Sequence, residues 1–195
     1  DIVPALKLDK RIGKFAYIRP GLGISGGNIE RDIVTVKSMF KKKSPPDLLL
    51  KNMLDNSQYM RRWVNRILIK EKTLVKKKKI NIGIVGAAYK ENTNSIKNSP
   101  IIDLLNYLKE NKNISIYEPM LNLELKNKNI KQVKDLKKLL NKNEIIIFMR
   151  PWINKKEIQN VYKNLKNKLV IDPYKVINFK DLKNKLNKYF TLGTN

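Results

Sequence analysis

The sequence predicts an α/β chain, with a parallel-sheet domain in its C-terminal part and a helical segment before it. Three observations carry this. From Ile80 onward, short β-rich apolar runs alternate with amphipathic helical ones. Those strand runs lack polar alternation, as expected of strands covered by helices on both faces. Before Ile80 the apolar residues recur at helical spacing instead, preceded by one glycine-rich loop.

The elements follow in order. The stretch RPGLGISGGNIERD, Arg19 to Asp32, holds four glycines within seven residues and must lie very close to something. After it, Ile29, Ile33, Val36 and Phe40 fall on one helical face. The run KKKSPPD, Lys41 to Asp47, is expected to end that helix, since Pro45 and Pro46 disfavour its continuation. A second helix is expected to start near Asp55-Asn56-Ser57, which are good N-cap residues, and to reach about Lys72. Its face of Met60, Trp63, Val64 and Ile67 needs a cover, and a second copy of the chain is the expected one. Lys76 to Lys79 read as a solvated tether dividing residues 1–75 from 76–195. Beyond it the strands INIGIVG, ISIYEP, EIIIFM and KLVIDP alternate with helices over about Ser99 to Leu108, Val133 to Leu140 and Lys155 to Leu165. That order is of the Rossmann type.

Composition removes many functions. The 195 residues suffice for one domain, or for a domain plus part of another, and 42% hydrophobic residues argue for a folded core. There is no cysteine and no histidine, which excludes disulfides, Cys/His zinc sites, thiol nucleophiles and His-based triads within the chain. No metal is expected. No apolar run approaches the ~18 residues of a membrane span, and no signal-peptide pattern opens the chain. A cytoplasmic protein without membrane contact is the expectation.

The net charge of +25 invites a nucleic-acid reading. However, the lysines are spread along the whole chain, arginines are scarce, and aromatics do not interleave with the basic residues. A composition biased towards Lys, Asn and Ile explains the charge better, so nucleic acid is not an expected partner.

Single features point weakly to a ligand. Lys90, Lys97 and the Thr93-Asn94-Ser95 between them form a cationic loop at the carboxyl end of a strand, where open sheets bind ligands. The turn Gly83-Ile-Val-Gly86 before it lacks the full G-x-G-x-x-G pattern of a dinucleotide site. Arg11, in DKRIGK, offers a bidentate fork to carboxylate or phosphate. Asp32 lies one helical turn after Asn28, so the two are placed to face one pocket. Each is equally what a solvated surface of a lysine-rich chain presents.

Together, and in this order, the pieces resemble the UDP-glucose/GDP-mannose dehydrogenase family. Asp9-Lys-Arg-Ile-Gly13 is similar to D-x-R-I-G, and Pro20 to Asp32 to P-G-x-G-x-G-G-[SH]-C-x-x-K-D. Gly83 to Pro100 resembles G-x-A-[FY]-K-x-x-T-x-D-x-R-x-S-P, Tyr117-Glu-Pro119 resembles Y-D-P, and Val170-Ile-Asp172 resembles V-[IV]-D. The resemblance implies the end of a central helical dimerisation segment over residues 1–75 and a Rossmann-like nucleotide-sugar-binding domain over 76–195. The family's N-terminal NAD domain and catalytic lysine segment have no counterpart here, so a separate or upstream NAD-binding domain is implied.

The resemblance also assigns roles. The glycine loop, with Gly21, Gly23 and Gly26, wraps the sugar of a UDP-hexose. The family's nucleophilic cysteine falls on Asn28, whose amide cannot attack an aldehyde. Asp32 keeps an orienting carboxylate, Arg11 matches an arginine reaching a neighbouring subunit's substrate, and Lys90 matches a substrate-site lysine. Lys97 replaces an arginine near the cofactor. Ser25 and Gly27 shift the glycine pattern, Asn94 and Ser95 replace an acidic residue, and a second arginine falls near Tyr174 or Lys175. NAD is the family's cofactor, and none is expected on this chain alone. The implied function is the substrate-binding part of a divergent NAD-dependent UDP-sugar 6-dehydrogenase, inactive by itself. A non-catalytic binding or scaffold protein derived from that family is the alternative.

Overall fold

The computed structural model describes residues 2–16, 18, 21–71, 80–108, 113–125, 127–151, 154–182 and 185–193. The C-terminal part is a six-stranded, wholly parallel sheet in the order β3-β2-β1-β4-β5-β6. Its strands are β1 (Asn81–Val85), β2 (Asn113–Tyr117), β3 (Ile130–Val133), β4 (Ile145–Phe148), β5 (Leu169–Ile171) and β6 (Lys188–Phe190). The order reverses between β1 and β4, which makes the crevice at their carboxyl ends the ligand position of such sheets.

The register explains the apolar strands. Ile82 pairs with Ile114 and Ile145, and Ile84 with Ile116 and Ile147. These six isoleucines lie in one buried cluster with Leu104 and Leu108, the first of them from the helix Pro100–Tyr107. Val85, Ile146, Phe148 and Val170 lie in a second cluster with Leu139, Leu140, Val161 and Leu165. Successive side chains thus fill opposite faces, each helix-covered, and each fully buried aliphatic contributes ~1.5–3 kcal/mol.

Among the described residues, four helices precede the sheet: α1 (Ile2–Leu8), α2 (Asn28–Ser38), α3 (Pro45–Arg61) and α4 (Trp63–Lys70). After β1 comes α5 (Pro100–Tyr107), after β3 comes α6 (Leu136–Lys142), and after β4 comes α7 (Lys155–Asn164). The first helical reading holds, and α2 covers most of the expected span.

The second does not. Its helix begins ten residues early, because Ser44 is extended and Pro45 and Pro46 occupy the opening turn, where a missing N–H costs nothing. Asp55-Asn56-Ser57 lie inside α3, and a break at Arg62 separates it from α4. Val133 ends a strand instead of starting a helix; Asp135 caps α6 by accepting from Lys138 N. The short edge strands β3 and β6 and the helix α1 were not anticipated. The Lys76–Lys79 tether and the Lys72 helix end lie outside the described residues.

The expected dimer face is also corrected. Val64 and Leu68 are buried in the sheet's own core cluster, with Trp63 and Ile67 packed against it. Of the expected face, Val64 is covered within the chain and Trp63 and Ile67 are half-covered, while Met60 is half-buried outside that cluster.

Candidate functional site

The glycine loop is pinned between α3, the sheet and the loop after β1. Leu22, 1% exposed, joins the cluster on the sheet. Tyr174, just past β5, packs on the same cluster, and its hydroxyl takes a hydrogen bond from the Leu22 backbone. Burial pushes the Tyr174 phenol well above its ordinary value. Ile24 N donates to Ser57 Oγ at 2.8 Å. Gly23 has φ +78°, and a β-carbon there would collide with the Ser57 carbonyl oxygen, so only glycine permits this approach.

The other end of the loop meets the cationic segment. Gly26 N donates to the Lys97 carbonyl at 3.0 Å, and Asn98 Nδ2 donates to Gly26 O at 2.9 Å and also to Glu30 Oε2. The Tyr89 ring lies on Gly26, and the Lys97 side chain lies on Gly27. Arg61 of α3 reaches Glu30 at 3.6 Å and Asp103 of α5 at 3.4 Å. Two polar bridges therefore tie the N-terminal helices to the sheet domain at the carboxyl end of β1.

The sequence-derived residues divide accordingly. Gly26 and Lys97 come together, Gly23 packs on Ser57 instead, and Gly21 leads into the loop, while Pro20 lies outside the described residues. Lys90 is exposed, with Nζ 5.7 Å from the Tyr89 ring centroid. Arg11 is not brought in; its exposed guanidinium is held by Asp9 at 2.6 Å. Asn28 opens α2 and is exposed. Asp32 is also exposed and pairs with Arg31 at 2.8 Å, so the two do not share a buried pocket as their spacing suggested. At the expected second arginine stand half-buried Tyr174 and exposed Lys175.

Other contributors escaped the sequence reading: Ser57 and Asn98, which hold the loop, and a network at the switch point. There Arg150, 3% exposed, pairs with Glu157 at 2.7 Å, and Tyr117 donates its hydroxyl to Glu157 at 2.9 Å. Burial and this hydrogen bond push the Tyr117 phenol up to about 12. Arg150 and Glu157 border a crevice of about 220 Å³ that Glu91, Asn92, Pro119, Met120 and Asn154 also line. The signal for Glu118 was visible, since an acidic residue at the end of the second strand is where such folds read a ligand. Its carboxylate instead accepts from the backbone of Ala87, at 2.8 Å, and Ala88, at 3.0 Å. Among the described residues no helix is long and apolar enough to cross a membrane.

Comparison with known proteins agrees with this geometry. Residues 83–179, from β1 to past β5, match the UDP binding domain of the UDP-glucose/GDP-mannose dehydrogenase family. A UDP-glucose 6-dehydrogenase of Campylobacter jejuni is 30% identical over 163 residues, 82% of this chain and 39% of that protein. One of Rickettsia bellii is 25% identical over 196 residues, 96% of this chain and 44% of that protein. A UDP-glucose dehydrogenase structure from Pyrobaculum islandicum superposes with a TM-score of 0.73 at 23% identity, covering 97% of this chain and 42% of that one. That last likeness bears on the fold. The chain spans less than half the length of these relatives. With the parallel sheet, the motif order and the matched domain in agreement, the chain belongs to the UDP-glucose/GDP-mannose dehydrogenase family.

Proposed function

We propose that this chain holds the nucleotide sugar of a UDP-sugar 6-dehydrogenase and does not itself complete the oxidation. Residues 76–195 supply the nucleotide-binding domain, and residues 1–75, the end of a helical segment, supply the loop that closes on the sugar. The observation carrying this is the docking of the glycine loop on the cationic segment after β1, through Gly26 and Lys97 at 3.0 Å. Backbone N–H groups of the loop and the ammonium groups of Lys90 and Lys97 suit a diphosphate ester, because both favour negative charge.

The oxidation of an alcohol to a carboxylate removes four electrons and needs the aldehyde stage held covalently. Asn28 stands at the nucleophile position, and its amide nitrogen, delocalised into the carbonyl, cannot form that bond. Asp32 and Arg11 are the remaining family-derived positions, and both are paired with neighbours, Arg31 and Asp9. NAD, the family cofactor, would supply hydride acceptance. It does not fit the glycine turn after β1, where Glu118 already takes the Ala87 and Ala88 amides. We assign it to a separate or upstream domain.

Self-association belongs to the same reading, but through other residues than the sequence suggested. Ile29, Val36 and Phe40 of the α2 region and Leu49 and Met53 of α3 are exposed apolar side chains. Calorimetric titration of the full chain with a panel of UDP- and GDP-sugars tests the assignment. Saturable binding of a UDP-hexose, weakened by Lys97→Ala, is the expected result. Absence of binding across the panel overturns it and favours the scaffold reading, for which the exposed Asn28 at the nucleophile position already speaks.

A further inference from the structure

The turn after β1 is built to hold an anion and already holds one. Gly86 takes φ +95°, which brings the next backbone amides into one concave patch. Ala87 N and Ala88 N both donate to Glu118 Oε2, at 2.8 and 3.0 Å, and Met120 N donates to Oε1 at 3.0 Å. Glu118 is 3% exposed, and among the described residues no cation stands within ion-pair distance of it. A buried carboxylate without a cation is costly unless hydrogen bonds replace its lost hydration, and here three backbone amides do so.

In parallel sheets of this strand order, that patch is where a dinucleotide pyrophosphate sits. The surroundings do not favour a second anion. The adjoining crevice is bordered by Glu91 and Glu157, and its one arginine, Arg150, is already paired with Glu157 at 2.7 Å. Ser99, 1% exposed, donates its hydroxyl to Ala87 O at 2.8 Å and fixes the turn from below.

We propose that Glu118 is a built-in anion that fills the phosphate seat of this turn. It is a specificity-determining residue: it closes the domain's dinucleotide position, and removing it uncovers a latent pyrophosphate site at Ala87 and Ala88. The inference goes beyond the UDP-sugar assignment and does not depend on it.

Two measurements on the full chain test it, with inorganic pyrophosphate and NAD as probes. In the unaltered protein, neither probe shifts the amide resonances of Ala87 and Ala88, and those amides resist hydrogen exchange. Glu118→Ala gains saturable pyrophosphate binding, about tenfold or more above the diffuse binding of a lysine-rich chain, and those two amides shift with it. Its melting temperature rises with pyrophosphate more steeply than that of the unaltered protein. Glu118→Gln keeps an oxygen in the seat and shows no gain. Equal pyrophosphate affinity in the unaltered and Ala forms overturns the proposal, as do Ala87 and Ala88 shifts in the unaltered protein. Should the Ala variant not fold, the amide shifts of the unaltered protein decide alone. Failure of UDP-sugars to bind would sink the proposed function and leave this inference standing.

Discussion

Asn98 bridges Gly26 and Glu30: its side-chain nitrogen lies 2.9 Å from the Gly26 carbonyl and also donates to the Glu30 carboxylate. Asn98 itself has φ +51°, a left-handed conformation that asparagine tolerates better than most residues. Asn98→Ala loses both bonds and gains backbone strain. The expected cost is about 2–3 kcal/mol in chemical denaturation, with faster hydrogen exchange at the loop amides.

Lys97 and Lys90 are expected to contribute unequally to ligand binding. Lys97 lies on Gly27 of the glycine loop, whereas Lys90 is exposed beside the Tyr89 ring. Lys90→Ala is expected to weaken UDP-sugar binding by ~1–2 kcal/mol, the worth of one charge-assisted hydrogen bond, and Lys97→Ala by at least as much. Calorimetry reads both, and an unchanged affinity removes the residue from the site.

The N-terminal helices and the sheet are expected to unfold together. Leu22, Val64 and Leu68 share one buried cluster with Ile82 and Ile84. Leu68→Ala therefore costs ~2–5 kcal/mol and leaves a single denaturation transition. Two separated transitions by fluorescence and circular dichroism would contradict the shared core.

Alkaline stability should follow Tyr117. Its folded value is raised to about 12 from the ordinary phenol's 10.0, so the neutral phenol is favoured by folding. The stability it contributes is full below pH 10 and is lost as pH rises through about 12. Tyr117→Phe removes that part of the alkaline slope, as seen by comparing urea midpoints of the two proteins between pH 9 and roughly 11.5.

No NADH is expected from this chain with UDP-glucose, and Asn28→Cys alone should not restore it. The loop shift at Ser25 to Gly27 and the Glu118-filled turn both remain in that variant. Absorbance at the reduced-nicotinamide band, with the product checked by mass, reads the outcome. Uronate from the unaltered chain would refute the inactive reading.

The sheet was legible because β1, β4 and β5 are mostly Ile, Val and Leu buried on both faces, a pattern that depends little on context, while β2 buries Ile114 and Ile116 on one face. The strands β3 and β6 were not, since IKQV and KYF are short edge segments whose pairing is decided by their neighbours. Prolines misled at Pro45, because the same residue that breaks a helix inside opens one at its first turn. At the site, glycines and lysines announced themselves by spacing. Ser57 and Asn98 did not, being ordinary residues made important by contacts between segments distant in sequence.

The central position of β1 sets the order in which the chain can mature. Strand β1 lies between β2 and β4, and the amide of its first residue, Asn81, donates to Glu144 across 63 residues of sequence. A nascent chain leaving the ribosome can pair β1 with β2 early, but its other edge stays open until β4 has been made. At ~5–20 residues per second, that edge of Ile82 and Ile84 is exposed for on the order of seconds. A central, largely buried strand is thus also the nascent segment most in need of a chaperone's protection.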